Sequence, residues 1–223
     1  AEAKAILTRH FSAWEKKPLK PFQAPKEAPL SGVERVKTHY AGEEKVLLAF
    51  RTEKYSGKDR LALTLVDMLL DSGEAGLIKL NLVQPQKVRS AGSYPYILED
   101  QGAQFLWAIT RKGQSLEEAE KLLLSQIEKI KKGEFSEETL RGIVLDFEIS
   151  TKKKLESNKG RVGIMGDAYY HGETIEDQLR LPEKLKGVSK EEIVRVANHY
   201  FQGDYVSGWR EDKPYQFPKI SKP

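Results

Sequence analysis

Apolar positions along the chain are spaced for strands through most of its first half and for helices through its second. Val33 to Tyr40 alternates as a strand at an exposed sheet edge does, and Lys45 to Arg51 carries the unbroken run Val46-Leu47-Leu48-Ala49-Phe50 of a buried strand. From about Asp59 to Asp71, Leu61, Leu65, Met68 and Leu69 fall on one helical face. A short helix beginning near Ala75 is stopped by Pro85, whose ring and missing N–H end a helical ladder. Strands at about Gln86 to Leu98 and Ala103 to Arg111 follow, the second with Phe105, Trp107 and Ile109 on one side. These two are expected to pair as a long hairpin around Glu99-Asp100-Gln101-Gly102.

Beyond residue 112 the period becomes helical. Ser115-Leu116-Glu117-Glu118 reads as a capping box opening a helix with Leu116, Ala119, Leu123, Ile127 and Ile130 in register, ended by Gly133. Ser136 opens another with Leu140, Ile143, Val144 and Phe147 inward. A further helix is expected from Arg161 to Tyr170, and Ser189-Lys190-Glu191-Glu192 caps a last one that runs through Phe201 and stops at Gly203. Asp204 to Arg210 returns as a strand. Strands, then a helical layer, then a closing strand predict an α+β fold, a largely antiparallel sheet covered on one face by helices.

Both ends are punctuated by proline. Ala3 to Trp14 has helical spacing through Ile6, Leu7, Phe11 and Trp14, and Pro18, Pro21, Pro25 and Pro29 follow within a dozen residues. Pro214, Pro218 and Pro223 crowd the last ten. The expected organisation is a leading helix and proline-rich linker over residues 1–32, one compact unit over 33–210, and a proline-rich connector over 211–223. The uncapped leading helix and the connector, with Tyr215-Gln216-Phe217-Pro218, suggest a piece of a multidomain protein.

Composition narrows the chemistry. With 39% apolar residues the 223-residue chain can build a real core, and no run approaches the length of a membrane span. The absence of cysteine rules out disulfides and thiolate metal sites and leaves the compartment open. A net charge of +4 arises from interleaved signs, as in Glu117, Glu118, Glu120 and Lys121, where a phosphate-tracking surface would carry a single sign. Nucleic acid is therefore not the expected partner. The run Lys152-Lys153-Lys154 follows Asp146 and Glu148 on a predicted helix and reads as a solvated helix face.

Zinc hydrolysis needs two imidazoles one helical turn apart, a neighbouring carboxylate base and a third protein ligand. None of His10, His39, His171 and His199 lies within five residues of another. His39 precedes Glu43 and Glu44 without a second histidine, so no catalytic or metal residue is assigned. Gly160, Gly163 and Gly166 lack the strand before and the Lys-Ser/Thr after that a phosphate loop requires. Trp14, Trp107 and Trp209 read as core or rim anchors.

Several stretches, taken in order, resemble the M16 (pitrilysin-like, inverted zincin) zinc peptidases. A helix ends in His10-Phe11-Ser12-Ala13-Trp14, and a Glu74 to Val83 block precedes Lys87 to Ser93. A helix, glycine, helix pair spans Ser115 to Leu140, and Ser189 to Phe201 precedes the last strand. In that family two or four such domains enclose a hollow clamshell. One supplies His-x-x-Glu-His and a distant Glu, and the others complete the chamber.

The resemblance therefore implies a non-catalytic, C-terminal-type domain that is inactive alone, with zinc held by the parent's catalytic domain. It implies as partners a peptide or unfolded polypeptide and other M16-like domains of the same protein or of a partner subunit. The alternatives are a structural scaffold with the same fold and no peptidase activity, or a basic nucleic-acid-binding module. The family's last domain also carries an Arg and a Tyr seven residues apart that hold substrate. Arg89 and Tyr96 have that spacing, but aligning the short helix puts Leu82 and Arg89 in those places, which removes the clamp. Arg89 remains as a candidate peptide contact, with Ser90 and Tyr96 on the same strand.

Overall fold

The computed structural model describes residues 2–15, 17–18, 20, 23 and 28–215. Pro21, Pro25 and most of the C-terminal connector lie outside the described residues. The elements are α1 (Glu2–Phe11), β1 (Val33–His39), β2 (Lys45–Thr52), α2 (Arg60–Leu70), a π-helical turn (Lys79–Val83), β3 (Ser90–Ile97) and β4 (Gly102–Ile109). They continue with α3 (Leu116–Lys131), α4 (Glu137–Glu156), α5 (Asn158–Tyr170), α6 (Ile175–Leu179), α7 (Leu181–Lys186), α8 (Lys190–Tyr200) and β5 (Tyr205–Glu211).

The strands form one sheet in the order β1-β5-β2-β4-β3, with β1 parallel to β5 and the other three pairings antiparallel. Alternation along each strand puts Val46, Leu48 and Phe50 of β2, Leu106 and Ala108 of β4, and Tyr205 and Trp209 of β5 on a single buried face. That face is covered by α2, α3 and α8, which contribute Leu65 and Leu69, Leu123 and Ile130, and Ile193 and Val196. Each such aliphatic side chain taken fully from water stabilises the fold by roughly 1.5–3 kcal/mol. The family of α+β folds expected from the strand and helix periods is the one observed.

The caps at Ser115, Ser136 and Ser189 form as the pattern requires, each hydroxyl accepting the N–H three residues on. Ser115 makes that half of a capping box; the reciprocal box is at Thr174 and Asp177, at the start of α6. Four expectations shift. The leading helix ends at Phe11 and Trp14 is exposed, so it anchors no described core. The strand expected from Gln86 starts at Ser90, because residues 84–88 turn back after the π turn. The helix expected at Arg161 starts at Asn158, capped by Ser157, and α6 and α7 were not foreseen. The helix opened by Ser136 makes its main contacts with α2, α5 and α7, whereas α3 lies on the sheet.

One acid lies within this core. Glu120 on α3 is 4% exposed and accepts from Tyr205 Oη at 2.9 Å, Ser207 Oγ at 2.7 Å and Trp209 Nε1 at 2.8 Å, with Arg35 bonding both its oxygens. These bonds tie α3 to both β5 and β1. Burial first, then the hydrogen bond to Glu120, push the Tyr205 phenol up to about 12.

Candidate peptide-binding face

Opposite the helices the described residues leave the sheet largely uncovered. The residues alternating with the core positions, Leu47 and Ala49 on β2, Phe105, Trp107 and Ile109 on β4, and Tyr94 and Tyr96 on β3, are half-buried or exposed. Tyr94 and its cross-strand partner Phe105 stack with ring centroids 5.1 Å apart. Lys45 Nζ lies 4.8 Å above the Trp107 ring, and Arg210, directly across from Lys45 on β5, bonds the Glu43 carbonyl. Burial and the adjacent Arg210 guanidinium hold the Lys45 ammonium below its usual value. The face is thus aromatic in the middle and cationic at one end.

The sheet's two edges differ. On β3, the Ser93 N–H points away from β4 and donates to Asp71 Oδ2 at 2.9 Å, while Pro95, the next outward position, has no N–H to offer. Behind this edge Asp67 Oδ1 accepts from Ser93 Oγ and from Gln104 Nε2, each at 2.6 Å. Burial raises the Asp67 carboxyl above its ordinary value, the two hydrogen bonds oppose that rise, and the nearby Asp71 adds to it. The middle of the β3 edge therefore has no free N–H to offer. On β1, Tyr40 donates to Glu211 O and Gly32 to Asp204 Oδ1, so the even-numbered residues face β5. The backbone groups of Val33, Arg35, Lys37 and His39 consequently face outward along an open edge.

The three candidate residues lie along one extended stretch but not at one place. Arg89 precedes β3, is 65% exposed at its side chain and pairs with Glu43. Ser90 opens β3 opposite Ile109 and is half-buried. Tyr96, near the far end, is 57% exposed and borders a cleft with Leu30, Ala49, Arg51, Ala103 and Val206. Seven strand residues separate Arg89 from Tyr96 by roughly 23 Å, too far to clamp one peptide unit. The Lys45–Arg210 pair and the stacked Tyr94–Phe105 pair, which the linear sequence did not single out, became visible only once strand register was known.

The histidines stay apart. His39 Nε2 is 3.3 Å from Glu211, His171 stacks on Tyr55 with centroids 3.4 Å apart, and His199 lies edge-on to Tyr200. Among the described residues no group of three or more His, Asp or Glu is placed to hold a metal ion, so the donor set does not fit zinc. No helix of the described residues is long and apolar enough to cross a membrane.

The model of the peptidase M16 inactive domain matches residues 1–144. Zinc protease PqqE of Helicobacter pylori is 25% identical over 202 residues, covering 88% of this chain and 45% of that protein. The crystal structure of a protease from Helicobacter pylori superposes with a TM-score of 0.82 at 22% identity, covering 94% of this chain and 52% of that one. A peptidase M16 inactive domain from Pseudomonas fluorescens gives 0.75 at 16% identity, over 96% and 52% of the two chains. The chain spans about half the length of these relatives. A matched family model over residues 1–144 and an α+β fold shared with these proteins lead to one assignment: the chain belongs to the peptidase M16 inactive-domain family.

Proposed function

We propose that this chain is a non-catalytic wall of a peptide-handling chamber in a zinc-dependent M16-like protease. In this reading zinc and the general base sit on another M16-like domain, and the bare sheet face lies against an extended polypeptide substrate. The observation that carries the reading is that face: a sheet covered by helices on one side presents Tyr94, Tyr96, Phe105 and Trp107 on the other. Rigid aromatic surfaces take up peptide side chains at low entropic cost. Because Ser93 and Pro95 close the adjoining edge, the substrate crosses the face and does not extend the sheet at β3.

The test is Arg89→Ala and Tyr96→Ala in the intact protease, with peptide affinity and melting temperature measured on the same preparations. Arg89 is exposed and its pair with Glu43 is a surface one, so its removal should change stability by only a few tenths of a kcal/mol. A lost charge-assisted bond to peptide should weaken binding by roughly 1.5–3 kcal/mol. Unchanged affinity in both variants would favour the scaffold reading, in which the fold serves assembly alone.

A further inference from the structure

The π turn at Lys79–Val83 ends in a motif that glycine usually serves. Gln86 N–H bonds Val83 O at 3.0 Å and Lys87 N–H bonds Leu82 O at 2.8 Å, the crossed pair of a Schellman end, with Gln86 at the left-handed position and φ of 54°. It is the only non-glycine residue with positive φ among the described residues. A side chain there costs roughly 1 kcal/mol that a glycine would not. Backbone held in such a state is a pointer to a site, and here the residue borders one.

Gln86 lines a hollow of about 440 Å³ together with Val83, Val88, Arg89, Arg111 and Lys112. Three cations and an amide surround an apolar floor. Arg89 is paired with Glu43, but neither Arg111 nor Lys112 has a carboxylate partner among the described residues. Like charges gathered without a counter-ion disfavour each other in the free protein and attract an anion. The hollow is also held in shape. Gln114, buried, accepts the Arg111 N–H at 3.1 Å through its carbonyl and donates its amide to Lys87 O at 2.8 Å, which fastens one wall to the other.

We propose that this hollow receives a peptide carboxylate, either the peptide's own C-terminus or one of its Asp or Glu side chains. The guanidinium of Arg111 offers a fork matched to a carboxylate, Lys112 adds a point charge, and Val83 and Val88 take the adjoining side chain. The proposal rests on the peptide-binding reading above and extends it. The hollow lies at the start of β3, so a polypeptide crossing Tyr94 and Tyr96 would reach it with one end. It assigns the domain a preference for substrates that are acidic at that end.

The experiment uses the purified intact protein and one synthetic peptide free of Asp and Glu, prepared as the C-terminal acid, as the C-terminal amide, and as the amide with one Glu near its end. Affinities are read by titration calorimetry at low salt. The acid should bind about tenfold more tightly than the amide, the gain expected of one charge-assisted contact. The Arg111→Gln, Lys112→Gln double variant should bind both at the amide's affinity with an unchanged melting temperature. Lys112→Gln alone, at an exposed turn position, repeats the test if the double variant melts early. Recovery by the Glu-containing amide assigns the site to acidic side chains, and its failure to recover assigns it to the terminus. Equal affinity for all three peptides in the unaltered protein overturns the carboxylate site and leaves peptide binding standing, whereas binding of none of them overturns both.

Discussion

Replacing Glu120 by alanine should cost this fold about 4 kcal/mol, a large share of the roughly 5–15 kcal/mol by which domains are stable. The figure follows from what the carboxylate leaves behind. Tyr205 Oη, Ser207 Oγ and Trp209 Nε1 are buried donors aimed at its two oxygens, and each orphaned donor costs roughly 1–3 kcal/mol. The serine hydroxyl can rotate to another acceptor and Arg35, 38% exposed, can turn to water, so these two add little. The tyrosine and the indole cannot escape in that way. Breaking a buried, hydrogen-bonded charge typically costs roughly 3–5 kcal/mol, which brackets the same value.

Glu120→Gln separates charge from acceptor count. One oxygen remains, and the hydroxyls of Tyr205 and Ser207 can turn to accept from the new amide, but the Arg35 guanidinium and the Trp209 indole are donors only and one of them loses its acceptor, so roughly half the loss should persist. Urea unfolding followed by the fluorescence of buried Trp209 measures both variants. A second readout is alkaline titration of phenolate absorbance. Tyr205, held up to about 12, contributes stability that is full below its unfolded value of 10.0 and lost as pH rises through about 12. Without Glu120 its ionisation should move to lower pH. A loss below about 1 kcal/mol for the alanine variant would refute the reasoning, because it would mean that water satisfies these donors where the packing leaves it no room.

Gln86→Gly should stabilise the chain by about 1 kcal/mol, seen as a raised urea midpoint at constant slope, since glycine takes the left-handed position without a Cβ penalty. Asp67→Asn should alter the pH profile. The folded carboxyl is raised above its ordinary 3.8, so its contribution is full below that pH and is lost as pH rises through the folded value. Melting curves across the acid range should show the asparagine variant gaining on the unaltered protein as pH increases above 3.8. A constant difference would show that Asp67 titrates as it does when unfolded.

Long elements were legible because their periods repeat enough times to be counted. The runs through Leu116 to Ile130 and Val46 to Phe50 span several repeats, and Ser115, Ser136 and Ser189 marked their helix starts with a side chain that the N-terminal N–H groups need. Helices α6 and α7, of five and six residues, complete too few turns to show a period. The start of β3 was misplaced because the turn before it uses Gln86 where a glycine would have announced a helix end. Glu120 reads in sequence as one of several acids on a solvated helix, and only the position of β5 reveals that it is enclosed. The candidate face follows the same logic: Arg89, Ser90 and Tyr96 are near in sequence, but an extended backbone carries them apart and brings Tyr94 to Phe105 and Lys45 to Arg210 instead. The resemblance to the M16 family rests on the order of elements, which survives shifts of a few residues at each boundary, and the family model over residues 1–144 bears it out.

The unequal edges set a limit on how copies of this sheet can join. A growing stack of sheets needs two sticky rims on every copy, one to receive and one to offer. Among the described residues, Asp71 and Pro95 leave the middle of the β3 rim without a free N–H, whereas β1 has no strand on its outer side. Two copies meeting rim to rim along β1 would use up both open edges in a two-fold pair, with nothing left for a third. Among the described residues, the chain thus carries one exposed strand opposite an edge whose central donors are taken or missing, an arrangement that favours a closed pair over a growing stack.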